Sequence, residues 1–212
     1  MLKFYNNFLL KIKTKLKTFR KFNALNQIDK KMLDYINFSN GFFIECGAND
    51  GVNQSNTWYF EKCLNWHGIL IEPLRNKFIE LKKNRSKKNY FYNVALSSSV
   101  YRNFLNIFEN NLESKIIDKL DKNLKLSKVY SSTLTKILDE VHAPKLIDFF
   151  SLDVEGFEDE ILKGIDFKKY NFKFFLIETK KDSVIKFIIN KNYQLIKKLS
   201  HHDYLFKLNK HI

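Results

Sequence analysis

The chain has 212 residues, a mass of 25.4 kDa, 44% hydrophobic content and a formal charge of +14, which suits one domain with an appendage and excludes a disordered chain. Its two cysteines exclude a disulfide scaffold and a cysteine-built zinc site. No apolar run approaches the roughly 18 residues of a membrane span, and Phe8-Leu9-Leu10 is too short for a signal-peptide core, so a reduced, cytoplasmic protein is expected.

The charge is uneven. Residues 1–31 hold nine basic residues and one acid, Asp29. Phe4, Phe8, Ile12, Leu16 and Phe19 recur at spacings of three and four with lysines between them, and a helix is expected over residues 2–36, with a second stretch from Ile28 to Ile36. Two uses stay open for this basic amphipathic extension, taken as residues 1–39. Residues 1–21 can rest on an anionic membrane surface, giving a peripheral protein at the inner membrane face. Alternatively the apolar stripe packs on the chain's own second unit, residues 40–212.

From Gly41 the pattern changes to short apolar runs: Gly41–Cys46, Gly68–Glu72, Tyr90–Leu96, Leu146–Asp153 and Phe172–Thr179. Helical stretches such as Asn56–Leu64 and Leu74–Asn84 separate them. Such alternation means parallel strands buried on both faces, hence an α/β fold. Asn192–Ile196 and Asp203–Lys207 read as a closing antiparallel hairpin. Between residues 97 and 135, Tyr101–Phe108 reads as a strand and Asn110–Lys128 as a polar cover over the sheet's active edge, serving as an acceptor lid or as a solvated connection. Ser131-Ser132-Thr133 supplies the cap of a helix through Leu138.

The chemistry gathers at strand ends. Gly47 and Gly51 flank Ala48-Asn49-Asp50 directly after the first strand, where doubly wound sheets bind a nucleoside-bearing cofactor. The next helix starts near Ser55, and its first amides can bind a carboxylate. Glu45-Cys46-Gly47-Ala48-Asn49-Asp50-Gly51 lacks the middle glycine of a dinucleotide fingerprint. Glu45 would repel a pyrophosphate, yet it suits the ammonium and sulfonium of S-adenosylmethionine. Glu72 ends the second strand and can accept both ribose hydroxyls. Asn93, Val94 and Ala95 end the third strand, where adenine contacts are expected. Asp153 ends the fourth, with Glu155 two residues on. These carboxylates can act as a base pair or hold a hard cation. Glu178 ends the fifth strand.

The strings FIECGANDG, ILIEP, NVALS, IDFFSLDVEGFEDEIL, FFLIET and DYLFK, in this order across residues 40–207, resemble the FkbM family of S-adenosylmethionine-dependent methyltransferases. The resemblance implies a class I methyltransferase, Rossmann-like fold. That fold has a mostly parallel seven-stranded sheet, a C-terminal antiparallel hairpin and helices on both faces. It also implies O-methylation of a small-molecule or glycan hydroxyl. Glu45, Gly47, Ala48, Asn49, Gly51 and Ser55 would then form the cofactor loop, Glu72 would hold the ribose, and Asn93 to Ala95 would flank adenine. Asp153 and Glu155 would stand at the transfer site, with Asp153 also contacting the cofactor. The family usually has Asp and Val where this chain has Glu45 and Cys46, and the longer Glu45 should still reach the methionine amino group.

Asp153 is the first choice of base. A magnesium ion on Asp153, Glu155 and Glu178 is the weaker alternative, and no dedicated metal ligand is assigned. His142 reads as a helix-end cap, His201-His202 as a solvated turn, and Cys46 and Cys63 as small buried residues. Two other functions are weighed. A nucleic-acid methyltransferase fits the positive charge, but Asp153-Val154-Glu155-Gly156 stands where base-amine methylators carry a proline-rich motif, and its carboxylates would repel phosphates. A non-catalytic, membrane-associated cofactor-binding protein would not need an acid at every strand end.

Overall fold

The computed structural model describes residues 22–98, 104–108, 115–117 and 126–209. The expected amphipathic stretch over residues 1–21 and most of the polar cover over residues 110–125 lie outside them. The elements in chain order are α1 (Ile28–Lys31), β1 (Phe42–Cys46), α2 (Trp58–Leu64), β2 (His67–Ile71), α3 (Arg75–Asn84), β3 (Tyr90–Tyr92), β4 (Ala95–Leu96), β5 (Phe104–Phe108) and β6 (Lys115–Ile117). They continue with β7 (Leu126–Ser132), α4 (Leu134–Glu140), β8 (Leu146–Leu152), α5 (Glu158–Lys163), β9 (Asn171–Glu178), α6 (Asp182–Asn190), β10 (Tyr193–Lys198) and β11 (Asp203–Leu208).

Seven strands form the main sheet in the order β10-β11-β9-β8-β1-β2-β3. All neighbours are parallel except at β11, which runs antiparallel to both β9 and β10. The hairpin and the parallel core expected from the sequence are both present. Strand alternation divides the core into two layers. Phe42, Ile44 and Cys46 of β1 pack with Leu134, Ile137 and Leu138 of α4, Ile161 and Leu162 of α5, and Val184 and Ile188 of α6. Phe43 points the other way, with Leu70, Phe149 and Leu176, against Phe60 of α2 and Phe78 and Leu81 of α3.

That second layer also takes in the segment before β1. Ala24, Ile28, Met32 and Ile36 are buried in it. The described part of the expected 2–36 helix is not continuous, because Asn26 and Gln27 adopt left-handed φ values of 52° and 54°. The buried Asp29 carboxylate accepts the Asn23 and Ala24 amides, at 2.8 and 3.2 Å, and so binds the chain back on itself.

The region before β8 differs from the sequence reading. The expected third strand splits in two: β3 stays in the main sheet, while β4 pairs with β7 in a second sheet of order β4-β7-β5-β6. Residues 126–132 are therefore strand, where a polar cover and a helix cap were expected. Val129 alone of this run is buried, so serines and lysines mask its alternation. Only Thr133 caps α4, accepting the Lys136 amide at 3.2 Å.

One buried cation ties the loop after β1 to the helices beside it. Arg85, just past α3, is 3% exposed. Its Nε donates to Glu61 at 2.7 Å and its Nη2 to the Thr57 hydroxyl at 2.9 Å. Its Nη1 reaches Glu45, the Gly51 carbonyl and the Ser55 hydroxyl, each at 3.2 Å. The guanidinium also lies over the Phe43 and Trp58 rings. Burial works to raise Glu61, but the Arg85 charge and hydrogen bonds from Lys62, Arg85 and Asn89 outweigh it and hold the carboxyl below the ordinary range. Removing one partner of such a pair leaves uncompensated buried charge. Arg85→Met should cost about 3–5 kcal/mol of stability in urea unfolding, whereas the exposed-pair variant Lys163→Met should leave the unfolding midpoint nearly unchanged.

Candidate active site

A crevice opens outside the carboxyl ends of β1, β2 and β8, where open α/β sheets bind ligands. The loop after β1 forms its floor. Gly47 has a φ of +84°, and a Cβ there would fall 1.9 Å from the Asp153 carbonyl oxygen. Only glycine permits that approach. The Gly47 and Ala48 amides both donate to the Ile71 carbonyl at 3.1 Å, and the Asp153 amide donates to the Cys46 carbonyl at 3.2 Å. Three strand ends are thus locked together beneath the crevice.

Glu72 stands on one side and is 5% exposed. Its carboxylate accepts the Asn49 and Leu74 amides, each at 2.8 Å. Burial pushes it up to about 7, against the lowering effect of those amides and of Lys77. Asn49 also lines the crevice, and its buried Oδ1 has no hydrogen-bond partner among the described residues. A buried acceptor left in this condition is costly and matches a donor on a ligand. Val94, Ala95, Leu74, Ile107 and Ile161 supply apolar wall.

On the other side stand Asp153 and Glu155, which both line the crevice. Glu155 is exposed and takes a left-handed φ of 53°. Carboxylate oxygens of Asp153, Glu155 and Glu178 lie within 4.8 Å of one another. Burial first, then the neighbouring Glu178 carboxylate, pushes Asp153 well above the ordinary carboxylate range, and the two side chains are hydrogen-bonded. Glu178 is raised too, by burial and by Asp203, while its hydrogen bond with Asp153 and the nearby His202 lower it. Two carboxyl groups so placed bind a proton more readily than an isolated carboxylate.

Several expected site residues sit elsewhere. Glu45 does not face the crevice. It shares its strand parity with Phe43, so its carboxylate enters the helix layer, where it accepts the Ser55 and Thr57 hydroxyls, the Asn56 amide and Arg85. The amides before α2, expected to bind a ligand's carboxylate, bind this one instead. Ser55 reaches the crevice wall, but its hydroxyl donates to Glu45 and accepts from Arg85 and the Trp58 amide. Gly51, at φ +80°, packs against Leu81 and Arg85, not the crevice. Asn93 is turned to the chain itself, donating to the Glu72 and Pro73 carbonyls at 2.9 and 2.8 Å. It positions Glu72 and does not line the wall.

Other residues were missed. Ile107 enters from β5 through the Leu105/Ile107 alternation, which was the available signal. His202, read as part of a solvated turn, lies with Nε2 3.2 Å from Glu178. Cys63, expected to be buried, is exposed, whereas Cys46 is buried.

The model of the methyltransferase FkbM domain matches residues 45–206. The methyltransferase FkbM from Methylobacillus flagellatus KT has a similar structure, with a TM-score of 0.52 and 16% identity over 82% of this chain and 45% of that one. This chain therefore spans under half the length of that relative, and the likeness shows a shared fold. The precorrin-6y C5,15-methyltransferase from Geobacter metallireducens GS-15 gives a TM-score of 0.48 at 9% identity, over 85% of this chain and 84% of that one. A methyltransferase from Pyrococcus furiosus gives 0.45 at 12% identity, over 94% and 95%. No protein of curated function matches the sequence. The family match covers well over half of the chain, from Glu45 in β1 to Phe206 in β11, and the protein belongs to the methyltransferase FkbM domain family.

Proposed function

We propose that the protein transfers a methyl group from S-adenosylmethionine to a hydroxyl oxygen, with a sugar hydroxyl of a surface glycan or related metabolite as acceptor. The observation that carries this reading is the pairing across one crevice of Glu72, fixed by two backbone amides, with Asp153, half-buried beside a second carboxyl. Glu72 keeps lone pairs free for the ribose hydroxyls. The orphan Oδ1 of Asn49 and the apolar wall fit the remainder of an adenosyl group. When bound, S-adenosylmethionine supplies an already activated methyl group.

The chain's own task is alignment and proton removal. A hydroxyl is a poor nucleophile at neutral pH, so a base must take its proton as the oxygen attacks. Asp153 has the position and the raised proton affinity for that role. Glu155, exposed at the same rim, meets the acceptor. Membrane contact belongs to the same proposal. Residues 1–21 carry seven basic residues and no acid, and the chain that follows is anchored beside the crevice by the Ala24–Gln54 bridge and by Phe22 stacked on Tyr59. Peripheral attachment to anionic lipid would bring the crevice to a membrane-borne acceptor. Among the described residues, no helix is long and apolar enough to cross a membrane.

Calorimetry with S-adenosylmethionine, followed by an acceptor screen of nucleotide-sugars and glycans with and without a chelator, tests the reading. Binding should weaken as pH falls below about 7, by up to about tenfold per pH unit, because the ribose hydroxyls need the ionised Glu72. Glu72→Gln should weaken binding and remove that dependence. Asp153→Asn should lower kcat by roughly 10²–10⁴-fold while cofactor affinity stays within a few-fold. Turnover should be unaffected by the chelator. In a flotation assay, full-length protein should rise with anionic liposomes and a 1–21 deletion should not. Equal flotation would discard lipid docking through that segment.

A further inference from the structure

The stretch of crevice wall between β1 and α2 is fastened from two directions. Ahead of Gln54, the Asp50 carboxylate accepts the Val52 and Asn53 amides at 2.9 and 2.8 Å. After it, Glu45 accepts the Ser55 and Thr57 hydroxyls and the Asn56 amide. Gln54 lies between these fastenings with a left-handed φ of 61°, and it lines the crevice beside Asn53 and Ser55. Its backbone pairs with Ala24 in a parallel bridge.

Ala24 is itself held. Asp29 of α1 has no exposure, and its Oδ2 accepts both the Asn23 amide at 2.8 Å and the Ala24 amide at 3.2 Å. Its Oδ1 accepts the Lys30 amide at 2.9 Å. Phe22 stacks on Tyr59 of α2 with ring centroids 4.8 Å apart, and Ala24, Ile28, Met32 and Ile36 fasten the segment into the core. A line of contacts therefore runs from a buried carboxylate, through two amides and one backbone bridge, to the crevice wall.

We propose that residues 22–29 complete the cofactor crevice, with Asp29 as a positioning residue that holds Gln54 through Ala24. The inference rests on the reading of the crevice as an S-adenosylmethionine site and extends that site to a segment ahead of β1. A left-handed backbone is unfavourable for a residue with a side chain and persists where its surroundings impose it. The bonds of Asp50 and Glu45 fall on either side of Gln54, and the bridge reaches Gln54 itself. Without Asp29 the Asn23 and Ala24 amides lose their acceptor, the bridge loosens and Gln54 leaves the wall. Part of the ligand's binding free energy must then go into ordering it. Coupling of this kind is reciprocal, so a ligand that orders Gln54 also tightens the bridge to Ala24.

Calorimetry with S-adenosylmethionine on the full chain, without lipid or acceptor, reads the effect. Asp29→Ala should weaken binding roughly tenfold. Asp29→Asn keeps an oxygen for the two amides and should recover most of the affinity. Ile188→Ala opens a gap in the opposite core layer, so it should lower stability while affinity stays within about twofold. Unchanged affinity in Asp29→Ala overturns the proposal. So does an equal loss in Ile188→Ala, which would tie binding to stability alone. Hydrogen exchange on the unsubstituted protein decides the matter if Asp29→Ala does not fold. Ligand should slow exchange over residues 22–24 together with 53–55, and protection confined to 53–55 overturns the proposal. If the unsubstituted protein gives no heat with S-adenosylmethionine, the functional reading fails, and the hold of Asp29 on Gln54 is still read without ligand. Exchange over residues 53–55 should then quicken in Asp29→Ala and not in Ile188→Ala, and equal rates in the two variants overturn it.

Discussion

Arg85 is the residue on which the geometry of the crevice depends. A guanidinium with no exposure of its side chain sits between two buried carboxylates and the turn that follows β1. Its three nitrogens reach five acceptors contributed by β1, α2 and the loop between them. Arginine suits this place because its fork is rigid and always charged. The cluster is costly to desolvate, so its contribution lies less in net stability than in fixing one conformation of the loop. The amide of Asn49, which meets Glu72, belongs to that loop. Order is thus transmitted from a charge in the helix layer to a carboxylate on the opposite side of the sheet end.

The two sides of the crevice use acids differently. Glu72 is surrounded by donors and keeps a defined orientation whatever its charge. Asp153 has another acid as its nearest partner, and repulsion combined with burial makes it hold a proton strongly. One carboxyl receives hydrogen bonds from backbone amides, and the other has its proton affinity raised by its surroundings. Environment separates two chemically similar groups into these roles, as it does generally where paired carboxyls carry acid–base chemistry.

Much of this was legible in the chain. Phe42–Cys46, Leu146–Leu152 and Phe172–Glu178 are apolar on both parities, which only a doubly covered parallel strand requires. Gly47 and Glu72 announced themselves by position at strand ends. What escaped has specific causes. Glu45 was placed by its distance from Gly47, but strand parity, shared with Phe43, sends it to the helices. Asn93 looked like a ligand contact because its amide can serve either role, and nothing local reveals that two carbonyls of residues 72 and 73 claim it. The strand Leu126–Ser132 shows one buried side chain in seven, too weak an alternation to read. His202 meets Glu178 only because β11 runs antiparallel to β9, with Asp203 opposite Glu178, a long-range pairing invisible in either segment alone.

The contact of Gly47 with the Asp153 carbonyl has a mechanical result. With no side chain between them, the backbone of the loop after β1 and the backbone at the end of β8 are in van der Waals register. Neither can shift without carrying the other along. The spacing between the two sides of the crevice floor is therefore set by main chain rather than by side-chain rotamers, so the crevice lining can change, as at Ile107 of β5, while that spacing stays constant.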